Sequence, residues 1–313
     1  IGTLNNSGTI SAQNSAIYFT PGFSARIDTL INSGTIQGGI NGSGSATFAS
    51  AIELGAANSI GTIINTGTID HSVCAGVTCY AAIHNAGGTI GTITNRGNLT
   101  SGNTGTNAYG IINSTTGRIG TLNNAQSNLK YYGTLPANYN AIISSPSNYG
   151  KLAVTAPSGQ TAFGIAPGST VTNATYTTVL SGVTASDLAV TSGTFGGGLV
   201  ATNWQLTNSS GSLWDLTTSS PTIVAPNTGS NSGNNLGSAI TFAYAGAVTA
   251  VVAPVLVSGT SLVAAVQSLT PSQANALANV HAEGYSSNLT INLEQMGHVT
   301  NTVMERIHAP GSG

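Results

Sequence analysis

The sequence predicts an all-β protein built as a parallel β-helix, a solenoid closed by a β cap. Three observations carry that prediction. A ten-residue motif recurs, charged residues are nearly absent, and the texture of the chain changes once the motif stops. The motif is Ile1-Gly-Thr-Leu-Asn-Asn-Ser-Gly-Thr-Ile10, with further copies starting at Ile27, Ile60 and Ile90 and a decaying fifth at Ile119. An internal period of this length marks a repeat architecture and outweighs local propensity.

Each copy reads Ile-Gly-Thr-Leu, then x-Asn-x-Gly, then Thr-Ile. The outer parts alternate apolar and small polar residues, as strands do. The Asn and Gly between them suit a bend. A second apolar mark follows at Ala16-Ile17, Ala51-Ile52, Ala82-Ile83 and Ile111-Ile112. One repeat thus offers about three short strands, one layer of a solenoid whose strands stack on the layers before and after. The fourth residue of each copy, Leu4, Leu30, Ile63, Ile93 and Leu122, is expected in an interior column. Asn6, Asn32, Asn65, Asn95 and Asn124 are expected to stack as an amide ladder, hydrogen-bonded along the axis as in stacked sheets. These copies define a repeat region over residues 1–129.

Only 4% of the 313 residues are Asp, Glu, Lys or Arg, and the net charge is −2. Average proteins carry about a quarter, so the solvated faces must be Asn, Ser, Thr and Gly. No basic run exists, so no nucleic-acid partner is expected. A neutral polar β surface suits an exported protein. The chain opens in mid-pattern at Ile1, so earlier repeats are expected upstream.

Cys74 and Cys79 are the only cysteines. With their neighbours they form His71-x2-Cys74-x4-Cys79-x4-His84, which superficially matches a zinc site. His84 occupies a strand slot of the repeat, and the close pair suits a loop disulfide in an oxidising compartment. That disulfide is the favoured reading over free thiols or a metal, and no cofactor is expected.

Residues 130–219 form the expected cap. Tyr131, Tyr132, Tyr139 and Tyr149 open it and are read as packing over the end of the solenoid, which must not be left bare. Strands are expected at 151–155, 170–172, 176–180, 188–190, 204–206 and 213–216. Leu152, Val154, Trp204, Leu206, Trp214 and Leu216 are its expected core. Residues 220–238 read as a linker rich in Gly, Ser and Asn. Residues 239–313 carry an uncharged stretch, 239–257, read as an amphiphilic packing segment or strands rather than a membrane span. A helix is expected over about 271–308, opened by the capping box Thr270-Pro271-Ser272-Gln273 and carrying Leu289, Leu293, Met296, Val303 and Ile307 on one face.

Repeat, cap and tail, in that order, resemble the passenger region of Gram-negative autotransporters (type V secretion), AIDA-like adhesins among them. The repeat carries the likeness first. Residues 130–218, ending in Leu213-Trp-Asp-Leu216, are similar to the autochaperone region that caps such passengers and promotes their folding. Leu269-Thr-Pro-Ser-Gln-Ala-Asn-Ala-Leu277 with His281-Ala-Glu-Gly-Tyr-Ser-Ser287 resembles the stretch just before the family's membrane barrel. The resemblance implies a right-handed β-helix displayed at the bacterial cell surface or outer membrane, or secreted after cleavage, having crossed the periplasm. It implies a membrane β-barrel as partner in the same precursor. No stretch of this chain offers the alternating strands of such a barrel. A close cysteine pair also fits passage through a narrow pore.

The function expected on these grounds is adhesion or self-association, with the cap assisting export; virulence is the usual setting of that family. Expected partners are the protein itself, a host-surface glycan or a host protein. A spacer stalk that presents an N-terminal domain is the alternative. A hydrolase is disfavoured: there is no Gly-x-Ser-x-Gly elbow and no phosphate-binding loop. Nor do Asp28, Glu53, Asp70, Asp187 and Asp215 obviously converge as glycosidase carboxylates must.

Overall fold

The computed structural model describes residues 1–39, 50–71, 81–102, 108–196, 200–220, 222–223, 256–257 and 260–261. Among these the chain is all-β. Its one helical piece is a single 3-10 turn, Ala185–Asp187. Cys74 and Cys79, most of the expected linker and the expected helix at 271–308 lie outside the described residues. In the tail, only Leu256–Val257 paired antiparallel with Thr260–Ser261 is described.

Each repeat supplies three strands, one to each of three parallel sheets. The first copy gives β1 (Thr3–Asn6), β2 (Thr9–Ser11) and β3 (Ile17–Phe19). The second gives β4 (Arg26–Asn32), β5 (Thr35–Gly38) and β6 (Ile52–Leu54). The third gives β7 (Ser59–Asn65), β8 (Thr68–His71) and β9 (Ile83–Asn85). The fourth gives β10 (Thr89–Asn95), β11 (Asn98–Ser101) and β12 (Ile111–Asn113). The fifth opens with β13 (Arg118–Asn124).

Register follows the motif. Leu4 lies on Leu30, Leu30 on Ile63, Ile63 on Ile93 and Ile93 on Leu122. From Leu30 onward this column is wholly shielded from solvent. Ile36, Ile69 and Leu99 form a second buried column, and Ile52, Ile83 and Ile111 a third. Three apolar columns facing one another make a continuous core, stabilised by about 25 cal/mol for each Å² of apolar surface removed from water.

Parallel pairing crosses residue 130, where the motif has already ended. The strands concerned are β14 (Leu129–Thr134), β15 (Asn138–Ala141), β18 (Leu152–Ser158) and β19 (Thr161–Ile165), separated by the small hairpin β16 (Ile143–Ser145) and β17 (Asn148–Tyr149). β15 stacks on β13 and β19 on β15, while β14 stacks on β12 and β18 on β14. Tyr139 and Phe163 therefore continue the Leu4 column, and Tyr131 and Val154 continue the Ile52 column. Tyr131 and Tyr139 are thus interior rungs of the stack rather than a lid over it. Larger rings fill the same slots that Ile and Leu fill below.

Closure comes later, where the sheet turns antiparallel. β20 (Ala174–Ser181) pairs parallel with β18 on one side and antiparallel with β24 (Leu213–Thr218) on the other. β24 pairs with β23 (Val200–Ser210), and β23 with β22 (Ser192–Gly196). β21 (Leu188–Val190) ends the first sheet on β19. Residues 170–172, expected as a strand, are irregular, though Val171 is buried. Trp204 from β23 meets Phe163 edge-on, ring centroids 5.5 Å apart, and Phe163 meets Tyr139 at 5.7 Å. An aromatic stack thus covers the top of the apolar column.

Candidate functional site

The five ladder asparagines are brought together. Asn6 Nδ2 donates to Asn32 Oδ1 at 2.8 Å, Asn32 to Asn65 at 2.8 Å, Asn65 to Asn95 at 2.9 Å and Asn95 to Asn124 at 3.2 Å. The amides of Asn6, Asn32 and Asn65 also pin their own turn and the next layer: Asn32 Nδ2 reaches Gly34 O at 3.2 Å and Thr68 O at 3.1 Å; Asn95 Nδ2 instead reaches Gln126 Oε1 at 3.1 Å. The ladder closes at Asn124, whose Nδ2 donates to Gln126 O and Lys151 O. All five side chains are buried. The Asn ladder therefore cannot be a recognition surface. It satisfies backbone carbonyls that would otherwise be buried without partners.

A second, shorter ladder sits at another corner. Asn85 Nδ2 donates to Asn113 Oδ1 at 2.9 Å, and Asn113 Nδ2 to Thr134 O at 2.7 Å. The sequence signal for it is Ile-x-Asn, in Ile83-His84-Asn85 and Ile111-Ile112-Asn113, masked by the unequal segments between copies.

The outward faces carry other rows. Thr29, Thr62, Thr92 and Thr121 lie in register on the first sheet, half-exposed, at the about 4.8 Å strand spacing. Beside them Asn140 Nδ2 donates to Asn123 Oδ1 at 2.9 Å and Asn123 Nδ2 to Thr94 Oγ1 at 3.2 Å; Ile64 is exposed in the same row. The charges on this face are few: Arg26 paired with Asp28 on β4, and Arg118 at the start of β13.

The third sheet has an outward row of Tyr18, Glu53, His84, Ile112 and Tyr132. Tyr18 and Tyr132 are exposed, yet Glu53 and His84 between them are only 6% and 7% exposed. Glu53 Oε1 stands 3.9 Å from His84 Nδ1, and its Oε2 accepts from Ser15 Oγ at 2.9 Å. Burial raises the Glu53 carboxyl above its ordinary value, partly offset by the Ser15 bond, and pushes the His84 imidazole down to about 4. Both groups are driven towards their neutral forms. The Ser15 hydroxyl is directed at the carboxylate, which is not the Ser–His–acid order of an activated nucleophile.

Among the described residues the remaining acids are dispersed, each on its own partner. Asp70 Oδ1 accepts from Thr100 Oγ1 at 2.8 Å, Asp187 Oδ2 from Thr184 N–H at 2.7 Å, and Asp215 Oδ1 from Thr178 N–H at 2.6 Å. Among the described residues no group of three His, Cys, Asp or Glu could hold a metal ion. Leu152 and Val154 are buried in the stacked layer at β18, and Trp204, Leu206, Trp214 and Leu216 in the antiparallel closing region, where Trp214 Nε1 donates to Val183 O at 3.0 Å.

No protein-family model, curated protein or solved structure matches the chain.

Proposed function

We propose that this chain is a right-handed parallel β-helical passenger of the autotransporter type, displayed at a bacterial surface and acting in adhesion or self-association. One observation carries the reading furthest. A half-exposed, in-register row of Thr runs along the first sheet with Asn123 and Asn140 beside it, and the face carries few charges, Arg26 and Asp28 on β4 and Arg118 on β13. Such a face offers repeated hydroxyl and amide hydrogen bonds without the salt sensitivity of ion pairs. The antiparallel region at 174–218 supports a role as the folding cap, because it supplies the aromatic end on which the apolar column rests.

The test is sedimentation velocity of the chain over a concentration series at low and high salt, with circular dichroism on the same samples. Salt-insensitive association that falls when Thr62 and Thr92 are both replaced by Lys supports the reading. A strict monomer, together with no binding to host-surface glycans or proteins, removes adhesion and leaves a spacer stalk. The buried Asn ladder favours that second reading in one respect: it gives the stack axial stiffness without offering a contact surface.

A further inference from the structure

The second sheet stops short of the other two. Among the described residues it has four strands, β2, β5, β8 and β11. The first sheet runs on from β10 to β13, β15, β19 and β21, and the third from β12 to β14, β18 and β20. The chain passes from β13 to β14 through residues 125–128 and lays no strand on β11. Lower in the stack the next strand always covers this edge: Ile36 is paired by Ile69, and Ile69 by Leu99. Leu99 has no such strand, and an open edge is a template for other chains.

The side chain of Gln126 fills the gap. Its Oε1 accepts from Leu99 N–H at 2.9 Å, and its Nε2 donates to Leu99 O at 3.2 Å. One amide thus makes both bonds that a parallel neighbour would make to this residue. Its other capacity is also used. Oε1 accepts from Asn95 Nδ2 at 3.1 Å and Nε2 donates to Asn128 Oδ1 at 2.9 Å, so a flipped amide would set donor against donor and acceptor against acceptor. The backbone of Gln126 is anchored as well: its N–H donates to Asn124 Oδ1 at 3.1 Å, and its carbonyl accepts from Asn124 Nδ2 at 2.8 Å and Lys151 N–H at 3.0 Å.

The repeat motif points to the same residue. Earlier copies read Asn32-Ser33-Gly34, Asn65-Thr66-Gly67 and Asn95-Arg96-Gly97, and the fifth reads Asn124-Ala125-Gln126. A Cβ on Gly67 would lie 2.1 Å from Gly34 O, and one on Gly97 2.0 Å from Gly67 O. A side chain cannot repeat that turn, so the loss of glycine and the end of the sheet fall on one residue. We infer that Gln126 is the stop of the second sheet. Its backbone sends the chain across to the third sheet, and its amide closes the β11 edge to an extended segment of a second copy. The stack itself names that occupant: the edge of β5 takes Thr68-Ile69 and the edge of β8 takes Asn98-Leu99, both strands of this chain. The stop works whether or not the chain is displayed at a cell surface.

The test compares Gln126→Ala with the wild type in the full chain. Hydrogen exchange reads the Leu99 amide, sedimentation reads association, and tryptophan emission checks that the closing region is intact. The variant is expected to exchange Leu99 N–H about tenfold faster and to associate beyond the wild type at equal concentration. That gain persists when Thr62 and Thr92 are replaced by Lys, which separates it from association through the first sheet. Gln126→Asn, whose amide is one methylene short of Leu99, shows both effects and decides the matter if the alanine variant does not fold. Gln126→Lys loses the bonds but leaves a charge at the edge, so Leu99 exchanges quickly and no association is gained. Unchanged Leu99 exchange, no gain in association, a gain lost with Thr62 and Thr92, or an equal gain in Gln126→Lys each overturns the inference.

Discussion

Asn65 shows what one residue does in this architecture. Its buried Nδ2 lies within hydrogen-bond reach of Asn95 Oδ1, Gly67 O and Asn98 O, at 2.9, 3.3 and 3.2 Å, the Asn95 contact being fully shielded from water. Asn65→Asp keeps the shape and the bond accepted from Asn32 Nδ2, but removes the donor and sets the second carboxylate oxygen against three acceptors. An uncompensated buried charge costs about 3–5 kcal/mol, so the urea midpoint should fall sharply at neutral pH and recover partly as acid protonates the new carboxyl. Glu53 and His84 set the pH response of the natural chain. The folded His84 value of about 4 lies below its ordinary 6.5. Its contribution is therefore full above pH 6.5 and is lost between pH 6.5 and about 4, by about 3 kcal/mol. Glu53 runs the other way: its raised value makes its contribution full below the ordinary carboxyl value and lost as pH rises. His84→Gln should flatten the loss of stability between pH 6.5 and 4. Glu53→Gln should stabilise the chain more at pH 7 than at pH 4. Urea midpoints across pH measure both; because the two contributions run in opposite directions, the readout is each variant against the wild type, and a His84→Gln profile parallel to the wild type from pH 7 to 4 would count against the buried pair.

At the scale of one element, the unit is a strand–turn–strand whose glycine is fixed by stacking rather than by backbone conformation. Gly67→Ala forces a Cβ to 2.1 Å from Gly34 O, and relief requires two layers to part. Overpacking of this kind costs about 1–3 kcal/mol. Comparison with Gly8→Ala, where the space is open, separates the contact from the loss of glycine as such; equal midpoint losses in the two would refute the stacking argument. These elements were legible in the sequence because the motif is short and its spacing inside each copy constant. Leu30, Ile63, Ile93 and Leu122 fall into one column by counting alone. Other pairings were not legible. Glu53 meets His84 because Ile52 stacks on Ile83, but the segments between copies differ in length and hide that register. The layers at β14–β15 and β18–β19 were hidden because Tyr and Phe replace Leu in the column. A packing slot recognises volume and apolarity, not residue identity. The Asn ladder was legible as a ladder but not as buried, since polar composition alone points outward and only the saturated carbonyls around it explain its place inside.

For the whole molecule, contacts in a stack of layers are made with nearest neighbours, so stability need not be uniform along the axis. The repeat layers are held by Ile and Leu columns and amide ladders. At the closing region Trp204 completes a ring series with Phe163 and Tyr139 of the last stacked layers, Tyr149 meets Tyr176 at 5.2 Å, and Trp214 is tied to Val183. Aromatic pairs add about 0.5–1.5 kcal/mol each beyond their burial. Both tryptophans lie in this region, so their fluorescence reports it separately, while far-ultraviolet dichroism reports every strand. In a urea titration the dichroism should begin to fall before the tryptophan emission shifts, with the β1–β12 layers opening first. Leu122→Ala, in the column below Tyr139, should move the dichroism transition to lower urea and leave the tryptophan transition nearly in place. Trp204→Ala uncovers Phe163 and should lower both, because the layers below lose the end they rest on. Coincident transitions in the wild type and in both variants would mean that the stack unfolds as one cooperative unit, and the closing region would then hold no separate reserve of stability from which folding could start.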